Sequence, residues 1–103
     1  MILGASGVLD GKPATTKREV VPPEPPPIGV MRARHPRIDV REASLVDAGT
    51  VITGGGVSLC IDAMLHVLER LYGRAVALET ARILEYERAW AANREQFPPV
   101  LAP

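Results

Sequence analysis

The densest run of apolar positions lies in residues 57–71, where Leu59, Ile61, Met64, Leu65, Val67, Leu68 and Leu71 cover most of a helical circumference. Asp62, His66, Glu69 and Arg70 hold a narrow polar stripe between them. A helix apolar on most sides is packed on most sides. The pattern predicts a buried helix over residues 58–72, with Ser58 as its N-cap and Gly73 as its stop. A second helix, rich in Ala, Leu, Glu and Arg, is predicted over residues 74–90. Upstream, residues 44–46 and 50–53 read as two short strands joined by the turn Asp47-Ala48-Gly49, and Gly54-Gly55-Gly56 leads from the second strand into the long helix. Ile38-Asp39-Val40 alternates like a strand, and residues 28–35 make one or two helical turns before Pro36.

The opening segment, residues 1–9, is small and apolar with no N-cap, and reads like the middle of a buried helix. Asp10-Gly11-Lys12-Pro13 then turns the chain, and Ala14-Thr15-Thr16-Lys17 enters a short strand. In Val21-Pro22-Pro23-Glu24-Pro25-Pro26-Pro27 the prolines fix φ and remove N–H donors, which predicts an exposed, irregular loop favouring a polyproline II path. Residues 97–103 are proline-broken and predicted to be a loose tail. The order of elements is that of the C-terminal part of an open α/β sheet. The strands are too few to bury a helix as apolar as residues 58–72.

Composition narrows the functions open to such a chain. Its 103 residues allow one small domain. Zero formal net charge argues against a nucleic-acid binder, which would carry a basic stripe. Asp62, His66, Glu69 and Arg70 interrupt the most apolar segment, which argues against a membrane span. Cys60 is the sole cysteine, so an intramolecular disulfide is excluded and a reducing cytoplasm is expected.

Few side chains carry a chemical signal. Asp62 and His66, one helical turn apart, are expected to share a hydrogen bond or a solvated stripe; a metal site would need further ligands, and the other histidine is His35. Cys60 on an apolar helix is expected to be a buried structural residue. Tyr86 and Trp90, four apart, are expected to be packing residues, as at a dimer contact. The glycine run either lines a pocket beyond the strand ends or simply makes a tight turn. It lacks the GxxxxGK[ST] pattern of a phosphate loop.

The stretch Val51-Ile52-Thr53-Gly54-Gly55-Gly56-Val57-Ser58-Leu59-Cys60-Ile61-Asp62 resembles the strand–turn–helix segment of the ThiJ/PfpI superfamily, and its triple glycine is closest to the isonitrile hydratase-like branch. Leu3-Gly4-Ala5-Ser6-Gly7-Val8-Leu9-Asp10-Gly11 and Ala14-Thr15-Thr16 are similar to the family's segment just after its nucleophile elbow. Leu84-Glu85-Tyr86 resembles a C-terminal helix motif of that branch. The resemblance implies the C-terminal half of a flavodoxin-like, class I glutamine amidotransferase-like fold, incomplete over residues 1–96 and carrying the proline loop 21–27. It implies a hydratase, a lyase that adds water to an isonitrile to give an N-substituted formamide without a cofactor, and family members are often homodimers. Thr16, Lys17, Gly54, Gly55 and Gly56 are then expected to line the pocket of a small-molecule substrate.

The departures from the family pattern bear on activity. The family's nucleophilic cysteine would fall a few residues before Met1, its acidic partner is also missing, and Cys60 stands at a family glycine. Lys17 occupies a position where the family often has His. No catalytic residue is therefore assigned. Three readings stay open: a truncated or mis-started hydratase-like product, inactive alone; a non-catalytic binding or interaction module; and one half of a split enzyme.

Overall fold

A computed structural model describes residues 2–101. Met1, Ala102 and Pro103, the ends of the predicted first helix and of the tail, lie outside the described residues. The chain forms a small mixed α/β domain. Helix α1 (Ile2–Ser6) runs into strand β1 (Pro13–Ala14), helix α2 (Pro27–Arg34) and strand β2 (Asp39–Val40). Strands β3 (Leu45–Asp47) and β4 (Ile52–Gly54) follow, then helices α3 (Leu59–Tyr72), α4 (Arg74–Ile83) and α5 (Glu87–Gln96). β1 pairs with β2 in parallel, Pro13 beside Asp39; β3 pairs with β4 antiparallel, Val46 beside Thr53.

Two small cores hold these pieces. Leu9, Ala14, Met31 and Ile38 pack under β1 and α2, with Val40 and Val51 at the margin. Leu65, Ala77, Ala81 and Trp90 pack between the last three helices, with Leu68 and Tyr86 beside them. Only Asp62 and Leu65 of α3 are buried. The helix is therefore not packed on most sides, contrary to what its apolar pattern predicts; with two-stranded sheets alone among the described residues it keeps much of its apolar circumference in the open, in line with the shortage of strands.

The predicted N-cap position of α3 is right in place but not in chemistry: Ser58 precedes the helix in αR conformation, and its side chain makes no capping bond. Gly73 ends α3 at φ +95, a conformation only glycine adopts cheaply.

Four predicted elements differ. The helix expected over residues 74–90 is broken at Leu84 and Tyr86, where Glu85 takes φ +55 and the Tyr86 N–H reaches back to the Ala81 carbonyl at 2.8 Å. A non-glycine residue there costs on the order of 1–2 kcal/mol, and no Gly or Pro marks the site in the sequence. The break turns Tyr86 toward α3, where its hydroxyl bonds Asp62.

The proline segment is exposed through Pro26, as predicted, but it is not an extended polyproline path: the Glu24 N–H bonds the Val21 carbonyl at 3.1 Å and the chain folds back. Pro27 opens α2, where its missing N–H is no loss.

The tail predicted to be loose is fixed as far as Val100. Val100 donates to the Leu45 carbonyl at 3.0 Å and accepts from the Asp47 N–H at 2.7 Å, forming a parallel bridge beside Val46. Pro98 and Pro99 cannot donate, but Val100 offers both backbone groups to the edge of β3. The Arg18 guanidinium lies 3.8 Å from the centre of the Phe97 ring. The short strand expected over residues 14–17 is likewise only Pro13–Ala14, because the Thr15 N–H leaves the ladder for a side chain of β4.

Candidate functional site

The loop after β1 and the end of β4 meet at one hydrogen bond. Thr53 alternates to the inner side of β4, and its Oγ1 accepts from the Thr15 backbone N–H at 3.0 Å. This contact joins residues 38 apart in sequence. Beside it opens a cleft of about 360 Å³. Thr15, Thr16, Thr53 and Gly54 supply its polar wall; Leu3, Leu9 and Met31 supply apolar surface. Thr15 is 2% exposed, and its own Oγ1 has no hydrogen-bond partner among the described residues. A buried hydroxyl without a partner costs about 1–3 kcal/mol.

Of the five residues expected to line a pocket, Thr16 and Gly54 do so, while Lys17, Gly55 and Gly56 stand outside the wall. The Lys17 side chain is exposed, and its carbonyl accepts from the Ile28 N–H at 3.0 Å at the start of α2. Gly55 makes the tight turn of the plainer reading. A Cβ there would meet Leu59 Cδ1 at 2.7 Å and the Ala43 and Ser44 carbonyls at 3.2 and 3.3 Å. Nothing lies within 4 Å of a Cβ at Gly56. Cys60, expected to be buried, is exposed on α3 and borders a separate apolar groove with Ile61, Met64 and Leu84. The only thiol therefore does not face the cleft.

Asp62 and His66 do not pair with each other. Each turns to a different element, Asp62 to Tyr86 and to Asn93 of α5, and His66 to Asp47 at the end of β3. Asp62 is fully buried, and its Oδ1 accepts from the Tyr86 hydroxyl at 2.6 Å and the Asn93 amide at 3.2 Å. Burial, then the hydrogen bond and charge of Asp62, push the Tyr86 hydroxyl up to about 12, against a smaller opposing effect of Asn93.

His66 Nε2 lies 2.7 Å from Asp47 Oδ2, and Arg70 reaches both Asp47 oxygens at 3.0 and 3.1 Å. Burial raises the Asp47 carboxyl, but the His66 hydrogen bond, the Gly49 N–H and the Arg70 charge outweigh it, and the carboxyl sits below its ordinary value. His66 and Arg70 are four apart on α3, so one carboxylate at the end of β3 clamps two successive turns of the helix.

Sequence reasoning missed Thr15, Thr53 and the Asp47 clamp. The i, i+4 spacing of His66 and Arg70 was a signal for the clamp, but Asp47 sits in what reads as an ordinary turn. No group of three or more His, Cys, Asp or Glu able to hold a metal ion occurs among the described residues. None of their helices is long and apolar enough to cross a membrane. No protein-family model matches the chain, and a search of curated proteins finds no match either.

Proposed function

We propose that these residues form the pocket-bearing second half of a ThiJ/PfpI-type, flavodoxin-like scaffold of the isonitrile hydratase-like branch, without turnover of its own. The observation that carries this reading is the Thr15–Thr53 hydrogen bond. It brings to one cleft, through Thr15, Thr16, Thr53 and Gly54, two segments whose resemblance to the family is independent.

Hydration of an isonitrile requires a nucleophile at the terminal carbon, one proton delivered to that carbon and one to the nitrogen, and a water oxygen that ends in the formamide carbonyl. The cleft offers hydroxyls and backbone to orient a small polar head, and apolar wall for its substituent. It offers no thiolate and no carboxyl group among the side chains that line it. Removing a covalent nucleophile leaves only the small residual rate supplied by binding and orientation.

The test is to incubate the purified chain and its Cys60→Ser variant with a simple isonitrile and follow formamide formation. Neither protein is expected to accelerate hydration. Turnover abolished by Cys60→Ser would make Cys60 the nucleophile and overturn the assignment. A second reading, a non-catalytic interaction module, is favoured by the apolar face of α3, where Met64 and Leu71 are 59% and 67% exposed.

A further inference from the structure

The tail runs beside β3 in parallel. The Ser44 and Asp47 N–H groups donate to the Phe97 and Val100 carbonyls at 3.3 and 2.7 Å, and Val100 donates to the Leu45 carbonyl at 3.0 Å. Side chains alternate along extended chain, so the residues flanking the Val46–Val100 bridge share one face: Leu45 and Asp47 from β3, Pro99 and Leu101 from the tail. The helices do not close flush against that face. A cleft of about 320 Å³ remains between it and the sides of α3 and α5.

Each wall of the cleft follows from local spacing. Leu45, Pro99 and Leu101 make an apolar floor. His66, Glu69 and Arg70, at i, i+3 and i+4, stand along one side of α3. Trp90 and Arg94, at i and i+4, stand along one side of α5. None of these residues lines the cleft beside Thr15 and Thr53.

Most of the charges here are already matched. Asp47 bonds both His66 and Arg70 from behind the wall, and Arg74 pairs with Glu69 at 2.8 Å. Arg94 differs from them. No carboxylate among the described residues pairs with it. Its guanidinium lies over the Trp90 ring, 4.4 Å from the centre, and Trp90 itself is buried. A guanidinium held over a ring gains cation–π attraction and keeps the N–H donors at its edge for a planar, bidentate acceptor. A carboxylate has that geometry.

The cleft therefore offers one unmatched cation beside a continuous apolar surface. A ligand that satisfies both carries one carboxylate on a compact apolar body. Ligand pockets span roughly 300–1,000 Å³, so about 320 Å³ restricts that body to a single ring or a short chain. A second acidic group would face Glu69, and a neutral ligand would leave Arg94 unmatched. We propose that this cleft binds a small monocarboxylic acid, its carboxylate on Arg94 and its apolar body against Leu45, Trp90, Pro99 and Leu101. The docked tail supplies two of those four residues, so the site lasts only while Val100 holds the edge of β3. The inference does not depend on what the Thr15–Thr53 cleft binds.

Trp90 is the sole tryptophan, so its indole N–H resonance reports on this cleft. The test is to titrate the isotopically labelled full chain with phenylacetate, and separately with phenylacetamide and with acetate. Phenylacetate should give saturable shifts at the Trp90 indole N–H and at the amides of Arg94 and Leu101, with Thr15 and Thr53 unmoved. Phenylacetamide keeps the body without the charge, and acetate keeps the charge without the body; each should bind roughly tenfold more weakly or worse. Arg94→Met keeps an apolar stem over the indole and removes the charge. It should weaken phenylacetate by roughly tenfold or more, with far-UV circular dichroism and thermal midpoint unchanged, and Arg94→Lys should recover part of the loss. Absence of a saturable shift at the Trp90 indole overturns the proposal. Phenylacetamide bound as tightly as phenylacetate overturns the choice of an acid, and an Arg94→Met variant of undiminished affinity overturns Arg94 as its anchor.

Discussion

Replacing Tyr86 by Phe keeps the ring that packs beside Trp90 and removes one hydroxyl. That hydroxyl donates to Asp62 Oδ1 at 2.6 Å and accepts from Asn93 at 3.1 Å. Asp62 is fully buried, and its other oxygen already has no partner among the described residues. After the substitution one oxygen keeps only the Asn93 bond, at 3.2 Å. A hydrogen bond to a charged acceptor contributes about 1.5–3 kcal/mol, and a buried acceptor left short of donors loses a similar amount, so the expected cost is about 2–3 kcal/mol at neutral pH. The Tyr86 pKa is pushed up to about 12, first by burial and then by Asp62, so it reports the burial of the hydroxyl together with this interaction. The fold favours the neutral phenol. Its contribution is therefore complete below the unfolded value near pH 10 and is lost as the pH rises through about 12. Two pH units correspond to roughly 3 kcal/mol, burial supplying the largest part. Urea unfolding of both proteins, followed by far-UV circular dichroism at one fixed protein concentration from pH 7 to 12, should show a gap that closes between pH 10 and 12. A gap below about 0.5 kcal/mol at pH 7, or one that stays constant through pH 12, would refute the reasoning.

The Asp47 clamp and the Gly55 turn give two further tests. Because the folded Asp47 carboxyl lies below its unfolded value, it contributes stability above about pH 4 that is lost as the pH falls through the folded value; Asp47→Asn should cost about 1–3 kcal/mol at pH 7 and flatten the acid limb of the unfolding curve. Gly55→Ala forces a Cβ onto two backbone carbonyls and should cost about 1–3 kcal/mol, while Gly56→Ala, with open space, should stay within about 0.5 kcal/mol; equal thermal stability of the two variants would contradict the packing role of Gly55.

The parts of the fold legible in the sequence were those set by local chemistry. The strand pair around Asp47-Ala48-Gly49, the glycine turn, the start of α3 and its stop at Gly73 appear where pattern and turn residues put them. The break between α4 and α5 was not legible, since Leu84-Glu85-Tyr86 holds no Gly or Pro and is bent where Tyr86 makes its tertiary contact with Asp62. The fixed tail was hidden for the opposite reason: its prolines read as loop, yet one residue, Val100, satisfies the edge of β3. Of the site, Thr16 and Gly54 could be named from the resemblance. Thr15 and Thr53 act through a contact across 38 positions that no local pattern records.

The central claim, that the segments around Thr15 and Thr53 form the ligand wall, is tested most directly by titrating the isotopically labelled chain with a small isonitrile, and separately with its formamide, while recording amide chemical shifts. The account predicts saturable shifts at Thr15, Thr16, Thr53 and Gly54 with little change at Cys60 and Met64, whereas shifts centred on the α3 groove, or none at saturating ligand, would contradict it.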